Sequence, residues 1–137
     1  MVGSDRVKHL AALAVGGLLL AVGALAVEEP NFGIELDRVR EAVHAEPAKA
    51  YYDGPFNKAF YARFSEWLNQ CTKTTGEPLS DFDMLITLGG EGQVQALRVQ
   101  PASSLAACFS GLVRKVRFPP PPARGLMVPA SVRITKP

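Results

Sequence analysis

The residues best suited to chemistry are two carboxylates and a histidine. Asp81 and Asp83 lie two positions apart in a segment of alternating polarity, and His44 follows a short amphipathic segment. Such carboxylates could bind a cation or act as an acid/base pair, but the solvated face of a strand has the same spacing. We expect His44 on the surface and a protein that is not an enzyme, with no cofactor and no metal. A small hydrolase or metal-dependent activity through Asp81, Asp83 and His44 is the alternative.

The chain contains two cysteines, Cys71 and Cys108, and no Cys-x-x-Cys motif. In an oxidising compartment such a pair is typical of a disulfide. The loop that it would close predicts a stabilisation of about 3–4 kcal/mol. Two buried free thiols are the alternative. A metal pair is disfavoured, because His44 is the only histidine beyond the N-terminal segment.

The N-terminal segment has the three parts of a secretory signal peptide. Arg6 and Lys8 precede an apolar run over residues 10–27, and small residues stand at Ala24 and Ala26 before two glutamates. Cleavage after Ala26 is therefore predicted. The alternative is that residues 1–26 stay as a membrane anchor, since the apolar run is at the lower limit for spanning a bilayer. Either outcome places the remainder in a bacterial periplasm or outside the cell.

Charge is small in total but unevenly distributed. The formal net charge of +2 does not indicate a nucleic-acid partner. Residues 27–91 hold 12 acidic and 6 basic residues, whereas residues 92–137 hold 7 basic residues and no acidic one. The two halves either neutralise each other across the fold or leave a basic face for an acidic partner or anionic lipid.

Hydrophobic periodicity predicts an α+β fold with the order α-α-β-β-α-β. One extra residue near Ala96, a β-bulge, would keep the apolar residues of the second strand on one face. The chain divides into the signal peptide (1–26), an N-terminal helix with a connecting loop (27–55) and the main α+β domain (56–137). We expect helices within 31–45, 56–71 and 101–118, and strands within 81–88, 93–99 and 126–135.

Four consecutive prolines, residues 119–122, follow the last predicted helix. Proline cannot continue a helix, and a run of prolines adopts a stiff, extended conformation. We therefore interpret the run as a rigid joint between the last helix and the last strand. A flexible linker or a ligand for a proline-binding partner is the alternative.

Two phrases in the second half of the chain resemble a known family. They are "FDMLITLGGEGQVQALRVQPASS" and "VRKVRFPPP", within a stretch from about Phe82 to Ile134. In both the turn exit at 92–94 and the helix-closing phrase at 115–119, this stretch resembles the C-terminal domain of the TonB/TolA energy-transducer family. The resemblance implies a three-stranded antiparallel sheet with the first strand central and the helices packed on one face. It is also consistent with Cys71 and Cys108 bridging two of those helices.

The rest of the chain departs from that family. Energy transducers keep an N-terminal anchor and carry a long proline-rich spacer, whereas residues 27–55 are few and partly helical in pattern. Energy transduction is therefore not expected here. The resemblance instead implies a binding module for an envelope protein or peptide, with the partner at or beside the sheet edge.

The last strand, Leu126 to Thr135, is the predicted edge for that partner. Arg133 and Lys136 would favour an acidic peptide. Pro129 removes one backbone donor, so if it faces outward, partner binding must be partial or use the other side of the sheet. The side chains expected to point outward and to bind the partner are Met127, Pro129, Ser131, Arg133 and Thr135.

The signal peptide gives the first testable prediction. The exported protein should begin at Val27, because small residues at Ala24 and Ala26 favour cleavage there. The intact mass of protein recovered from the periplasm or the medium checks this. A mass that still contains residues 1–26 would support the membrane anchor instead.

Overall fold

The computed structural model describes residues 31–76 and 79–134, so the predicted signal peptide and Thr135 lie outside the described residues. Within these ranges, no helix combines the length and the apolar character needed to cross a membrane. The chain forms, in order, α1 (Phe32–Ala42), α2 (Ala48–Tyr51), a π-helical turn (Tyr52–Phe56), α3 (Asn57–Thr75), β1 (Phe82–Leu88), β2 (Val94–Gln100), α4 (Ser104–Val113) and β3 (Leu126–Val132).

The three strands form an antiparallel sheet in the order β2-β1-β3, which confirms the predicted α+β class and the central place of the first strand. Between β1 and β2, Thr87 pairs with Ala96 while Leu88 pairs with Val94. Gln95 is thus the extra residue of a bulge. The bulge predicted near Ala96 is confirmed.

The main core lies between the sheet and the pair α3 and α4. From the sheet, Met84 and Ile86 of β1 and Val128 of β3 are fully buried in it. Phe109 of α4 occupies its centre, with ring centroids 5.5 Å from Trp67 and 5.6 Å from Phe82. Edge-to-face contacts of this kind add to the stabilisation that burial provides. Phe60 and Trp67 of α3 are thus core residues.

The first helix, α1, packs on the opposite face of the sheet. Phe32, Leu36 and Val39 form a second small cluster with Leu85 of β1, and Met127 of β3 packs against it. The family resemblance implied that all helices pack on one face of the sheet. For α1 this expectation is wrong, because α1 lies on the other face. The physical reason is Leu85, which lies on the otherwise polar face of β1 and needs a cover to become 1% exposed.

Residues 46–55 were expected to form a loop, but the chain is helical from Ala48 onward. Pro55, which suggested a turn, lies inside the π-helical turn. Proline cannot donate the usual helical hydrogen bond. The π-helical turn, in which the hydrogen-bond spacing is wider than in an α-helix, accommodates the missing donor. Lys49 and Asp53, one turn apart, form an ion pair at 2.9 Å on the exposed side.

The proline run joins α4 to β3, as the joint interpretation predicted. Its first part is tied to the sheet, because the Phe118 amide donates to the Gly92 carbonyl at 2.9 Å. Gly92 has a φ of +88°, and a Cβ there would lie 1.8 Å from the Phe118 carbonyl oxygen. Only glycine can serve at this close approach. The Tyr51 hydroxyl donates to the Pro119 carbonyl at 2.6 Å and holds the joint from the other side.

Cys71 of α3 and Cys108 of α4 form a disulfide, with sulfur atoms 2.12 Å apart. The predicted pairing is confirmed. Cys71 is fully buried beside the aromatic core. The bond therefore fixes the two helices that cover the main face of the sheet.

Loss of the disulfide should lower the free energy of unfolding by about 3–4 kcal/mol, because the loop between the cysteines is long. Urea unfolding of the oxidised protein and of a Cys71→Ala/Cys108→Ala variant would measure this. Reduced wild-type protein is the control and should fall by a similar amount. Peptide mapping that found both thiols free in exported protein, alkylated at lysis, would contradict the pairing.

Candidate functional site

The direction of the backbone groups on β1 decides what each sheet edge offers. The Leu88 carbonyl accepts from Gly125 on the β3 side, and the Gly89 amide donates to Gln93 on the β2 side, both at 2.8 Å. Successive strand residues direct their amides to opposite sides. Even-numbered residues of β1 therefore bond to β3 and odd-numbered residues bond to β2.

The same alternation places the backbone groups of Met127, Pro129 and Ser131 on the outer edge of β3. Pro129 has no N–H, and its carbonyl accepts a 3.0 Å hydrogen bond from the Tyr52 hydroxyl. Tyr52 comes just after α2, in the stretch that carries the chain from α1 to α3 across this edge. Pro129 thus faces outward, and the centre of the β3 edge is closed.

The predicted outward side chains are engaged within the protein. Met127 is half-buried against α1, and Pro129 is buried. The Ser131 hydroxyl donates to Asp83 at 2.6 Å, and Arg133 donates to the same carboxylate at 2.8 Å. Met127 thus contacts α1, the Pro129 carbonyl is bonded to Tyr52, and Ser131 and Arg133 are bonded to Asp83 although both stay exposed. Partner binding at β3 stays a prediction.

Asp83 is the centre of a structural network. Its Oδ1 atom accepts from Ser131, from Arg133 and, at 3.3 Å, from Arg40 of α1. Arg40 also donates to the Ser131 hydroxyl at 2.9 Å. The network therefore fixes the C-terminal part of α1 to β1 and β3. In it the Asp83 carboxylate serves as a structural hydrogen-bond acceptor.

Asp81 and His44 do not join this network. The Asp81 carboxylate accepts from the Ile134 amide at 2.7 Å, where the chain leaves β3. His44 is exposed just after α1, and its amide donates to Glu41. In the ranges 31–76 and 79–134, no group of three or more histidine, cysteine or acidic side chains could hold a metal. Asp81, Asp83 and His44 therefore do not form such a metal-binding group, and a hydrolase activity through them remains only the sequence-based alternative.

The outer edge of β2 is more open than that of β3. Leu97 and Val99 direct their backbone groups outward, since their neighbours pair with β1. Arg114, at the end of α4, donates to the Leu97 carbonyl at 2.8 Å. For the Leu97 amide and for both backbone groups of Val99, the described part of the chain provides no hydrogen-bond partner. The start of β2 is covered, because Gln93 forms a bridge with Arg117.

Sequence reasoning did not select this β2 edge. Two features of the sequence could have indicated it. Pro129 removes a donor from the last strand, and Leu85 requires a cover on the second face of the sheet. Arg114, which follows α4, folds back onto the sheet edge, where its guanidinium satisfies one carbonyl with a hydrogen bond that a partner strand could replace.

Two adjacent tyrosines hold the connection between the two faces of the sheet. Tyr51 donates to Pro119 at the joint, and burial raises the pKa of its hydroxyl to about 12. Tyr52 donates to Pro129 at the β3 edge, and its pKa is raised chiefly by burial. Both phenols stay protonated at neutral pH and act as hydrogen-bond donors.

Comparison of the chain with protein-family models, curated proteins and solved structures found no match. The likeness to the TonB/TolA family therefore remains a resemblance of short motifs, and the function has to be argued from the two edges and the surfaces beside them.

The raised pKa of Tyr51 predicts a loss of stability at high pH. Up to about pH 10 the phenol is protonated in both states; between about pH 10 and 12 the unfolded chain loses this proton and the folded chain keeps it. Stability should therefore fall as pH rises through this window. Urea unfolding of Tyr51→Phe should show a shallower fall, from a starting value lower by about 1 kcal/mol for the lost hydrogen bond.

Tyr61, whose side chain is 64% exposed, supplies the matched control. Tyr61→Phe should change the fall in stability less than Tyr51→Phe does, because its side chain lies mostly in solvent. If Tyr51→Phe and wild type lost stability equally between pH 10 and 12, Tyr51 would not be the group that resists ionisation.

Proposed function

We propose that this protein is an exported, non-enzymatic binding module of the bacterial cell envelope that adds an extended segment of a partner protein to the outer edge of β2. The observation that carries the proposal is the difference between the two edges. The β3 edge has no donor at Pro129 and a carbonyl already bonded to Tyr52, whereas Leu97 and Val99 offer outward backbone groups on β2.

Strand addition at β2 needs a small change in the protein. Leu97 and Val99 each provide one N–H and one C=O, and antiparallel or parallel pairing could use all four. Among the described residues, only the Leu97 carbonyl of these four groups has a partner, the exposed Arg114 side chain. Exchange of that hydrogen bond for one from a partner strand costs little, because each contributes about 0.5–1.5 kcal/mol net.

Opening the β3 edge would need a larger change. Tyr52 is half-buried, its ring stacks on Phe56 with centroids 5.8 Å apart, and its hydroxyl would lose Pro129. A partner strand there would also find no donor at the central position. Protection of one edge by proline and a covering side chain is a common device against unwanted pairing.

The sequence supports the envelope setting of this proposal. The N-terminal segment has the parts of a signal peptide, and the Cys71–Cys108 disulfide suits an oxidising compartment such as the periplasm. The resemblance to the TonB/TolA module supports binding of an envelope protein or peptide beside the sheet. No nucleic acid and no cofactor form part of the proposal.

Photo-crosslinking in cells tests which edge is used. A photoreactive amino acid in place of Gln95, exposed on β2, should give a crosslinked product with an envelope protein, identified by mass spectrometry. The same group in place of Arg133, exposed beside β3, should give much less. Val99→Pro removes an outward donor and should abolish the Gln95 product, whereas Ser131→Pro, the matched change on β3, should leave it.

Melting curves of both proline variants show whether each is folded at the temperature of the assay. A product formed mainly from Arg133 and lost in Ser131→Pro would return the site to the predicted β3 edge. A Gln95 product that survives Val99→Pro in full, or no product from either position, would contradict strand addition at β2.

A further inference from the structure

A cleft of about 780 Å³ lies at the hairpin end of the sheet, where three parts of the chain meet. One wall is the first half of α3, the second is the turn between β1 and β2, and the third is the proline joint. Its lining is mostly apolar or small and includes Ala59, Ala62 and Pro119, with Arg63, Arg117 and Glu91 at its rim.

The walls of this cleft are rigid. Ala59 and Ala62 lie three residues apart on one side of α3, and their short side chains leave room above the helix. Phe118 is 1% exposed, and its backbone amide donates a hydrogen bond to the Gly92 carbonyl. Pro119 is held by Tyr51. A preformed apolar site loses little conformational freedom on binding a ligand, and this favours affinity.

The rim of the cleft carries an excess of positive charge. Arg63 is exposed, and in the part of the chain that the structure describes it has no acidic partner. Arg117 lies 3.9 Å from Glu91, with both side chains at least 70% exposed. Such an exposed pair contributes little and is easily exchanged. Two guanidinium groups therefore face the solvent above an apolar floor, and the Glu91 carboxylate is loosely paired with one of them, that of Arg117.

We propose that this cleft binds an acidic peptide segment in which carboxylates flank a large apolar side chain. The apolar side chain would lie over Ala59, Ala62 and Pro119, and the carboxylates would pair with Arg63 and Arg117. Arginine suits this role because its planar group binds carboxylates in a bidentate manner. The site is separate from the free part of the β2 edge, and it does not depend on strand addition there.

The combination of charge and apolar surface selects this ligand. A small inorganic anion would gain nothing from the apolar walls, and an uncharged apolar peptide would leave both guanidinium groups without a new partner. An acidic peptide with an aromatic residue uses both features at once. Residues 92–137, which supply Arg117 and the prolines, contain no acidic residue. This charge distribution also favours an acidic peptide.

Titration of the isotope-labelled, disulfide-bonded exported chain with a capped Ser-Gly-Glu-Phe-Glu-Gly-Ser peptide, followed by NMR, tests the proposal. The amide signals of Ala59, Ala62 and Gly90 should shift, with saturation at or below millimolar peptide. A peptide with Gln in place of both Glu, and one with Ala in place of Phe, should each bind about fivefold or more weakly. Affinity for the first peptide should fall as salt rises.

Two variants and a control locate the site. Arg63→Glu reverses a rim charge and Ala62→Phe fills the cleft, and each should weaken binding about fivefold or more. Lys73→Glu changes the charge of an exposed residue at the other end of the same helix and should weaken it less than about twofold. Unchanged dispersion of the NMR spectrum shows that each variant is folded.

Shifts confined to residues outside the cleft, or equal affinity for the Glu and Gln peptides, would overturn the proposal. So would equal binding by Arg63→Glu and Lys73→Glu. Because the readout is at the cleft, loss of the Gln95 crosslink in Val99→Pro with peptide binding intact would separate this site from the β2 edge.

Discussion

Burial of β1 on both faces is the constraint on which the rest of the structure depends. Ile86 on one face is fully buried and Leu85 on the other is 1% exposed. An antiparallel sheet usually leaves one face to solvent, but this one needs two covers. The disulfide-bonded pair α3 and α4 supplies the first and α1 supplies the second, so the chain has to pass around one edge of the sheet between them.

That passage determines which surfaces remain for partners. It runs beside β3, where Tyr52 binds the carbonyl of Pro129, and it leaves β2 as the more open edge. At the other side of the sheet, the joint after α4 both covers the start of β2 through Arg117 and forms a wall of the basic cleft. The segment from Arg117 to Pro120 thus borders both surfaces proposed for binding.

Local pattern was enough to predict the strands and the bulge near Ala96, because alternation is a property of short segments. The disulfide was predicted from the presence of two cysteines and a signal-peptide pattern, which indicates an oxidising compartment. The side of the sheet taken by α1 was not predictable in this way, since it depends on the single residue Leu85. The helix over residues 48–56 was hidden by Pro55, which usually marks a turn. To predict that the β3 edge is closed, one needs the register of β3 against β1. The register decides whether the backbone of Pro129 faces β1 or the outer edge.

The most direct test of this account is whether α1 is an integral cover of the second face. Leu36→Ala removes a side chain that is 4% exposed, whereas Ile34→Ala makes the same kind of truncation at a position 64% exposed on the same helix. Urea unfolding should show a loss of about 2–4 kcal/mol for Leu36→Ala and less than about 0.5 kcal/mol for Ile34→Ala. Equal, small losses for both variants would mean that α1 does not cover β1, and would contradict the account.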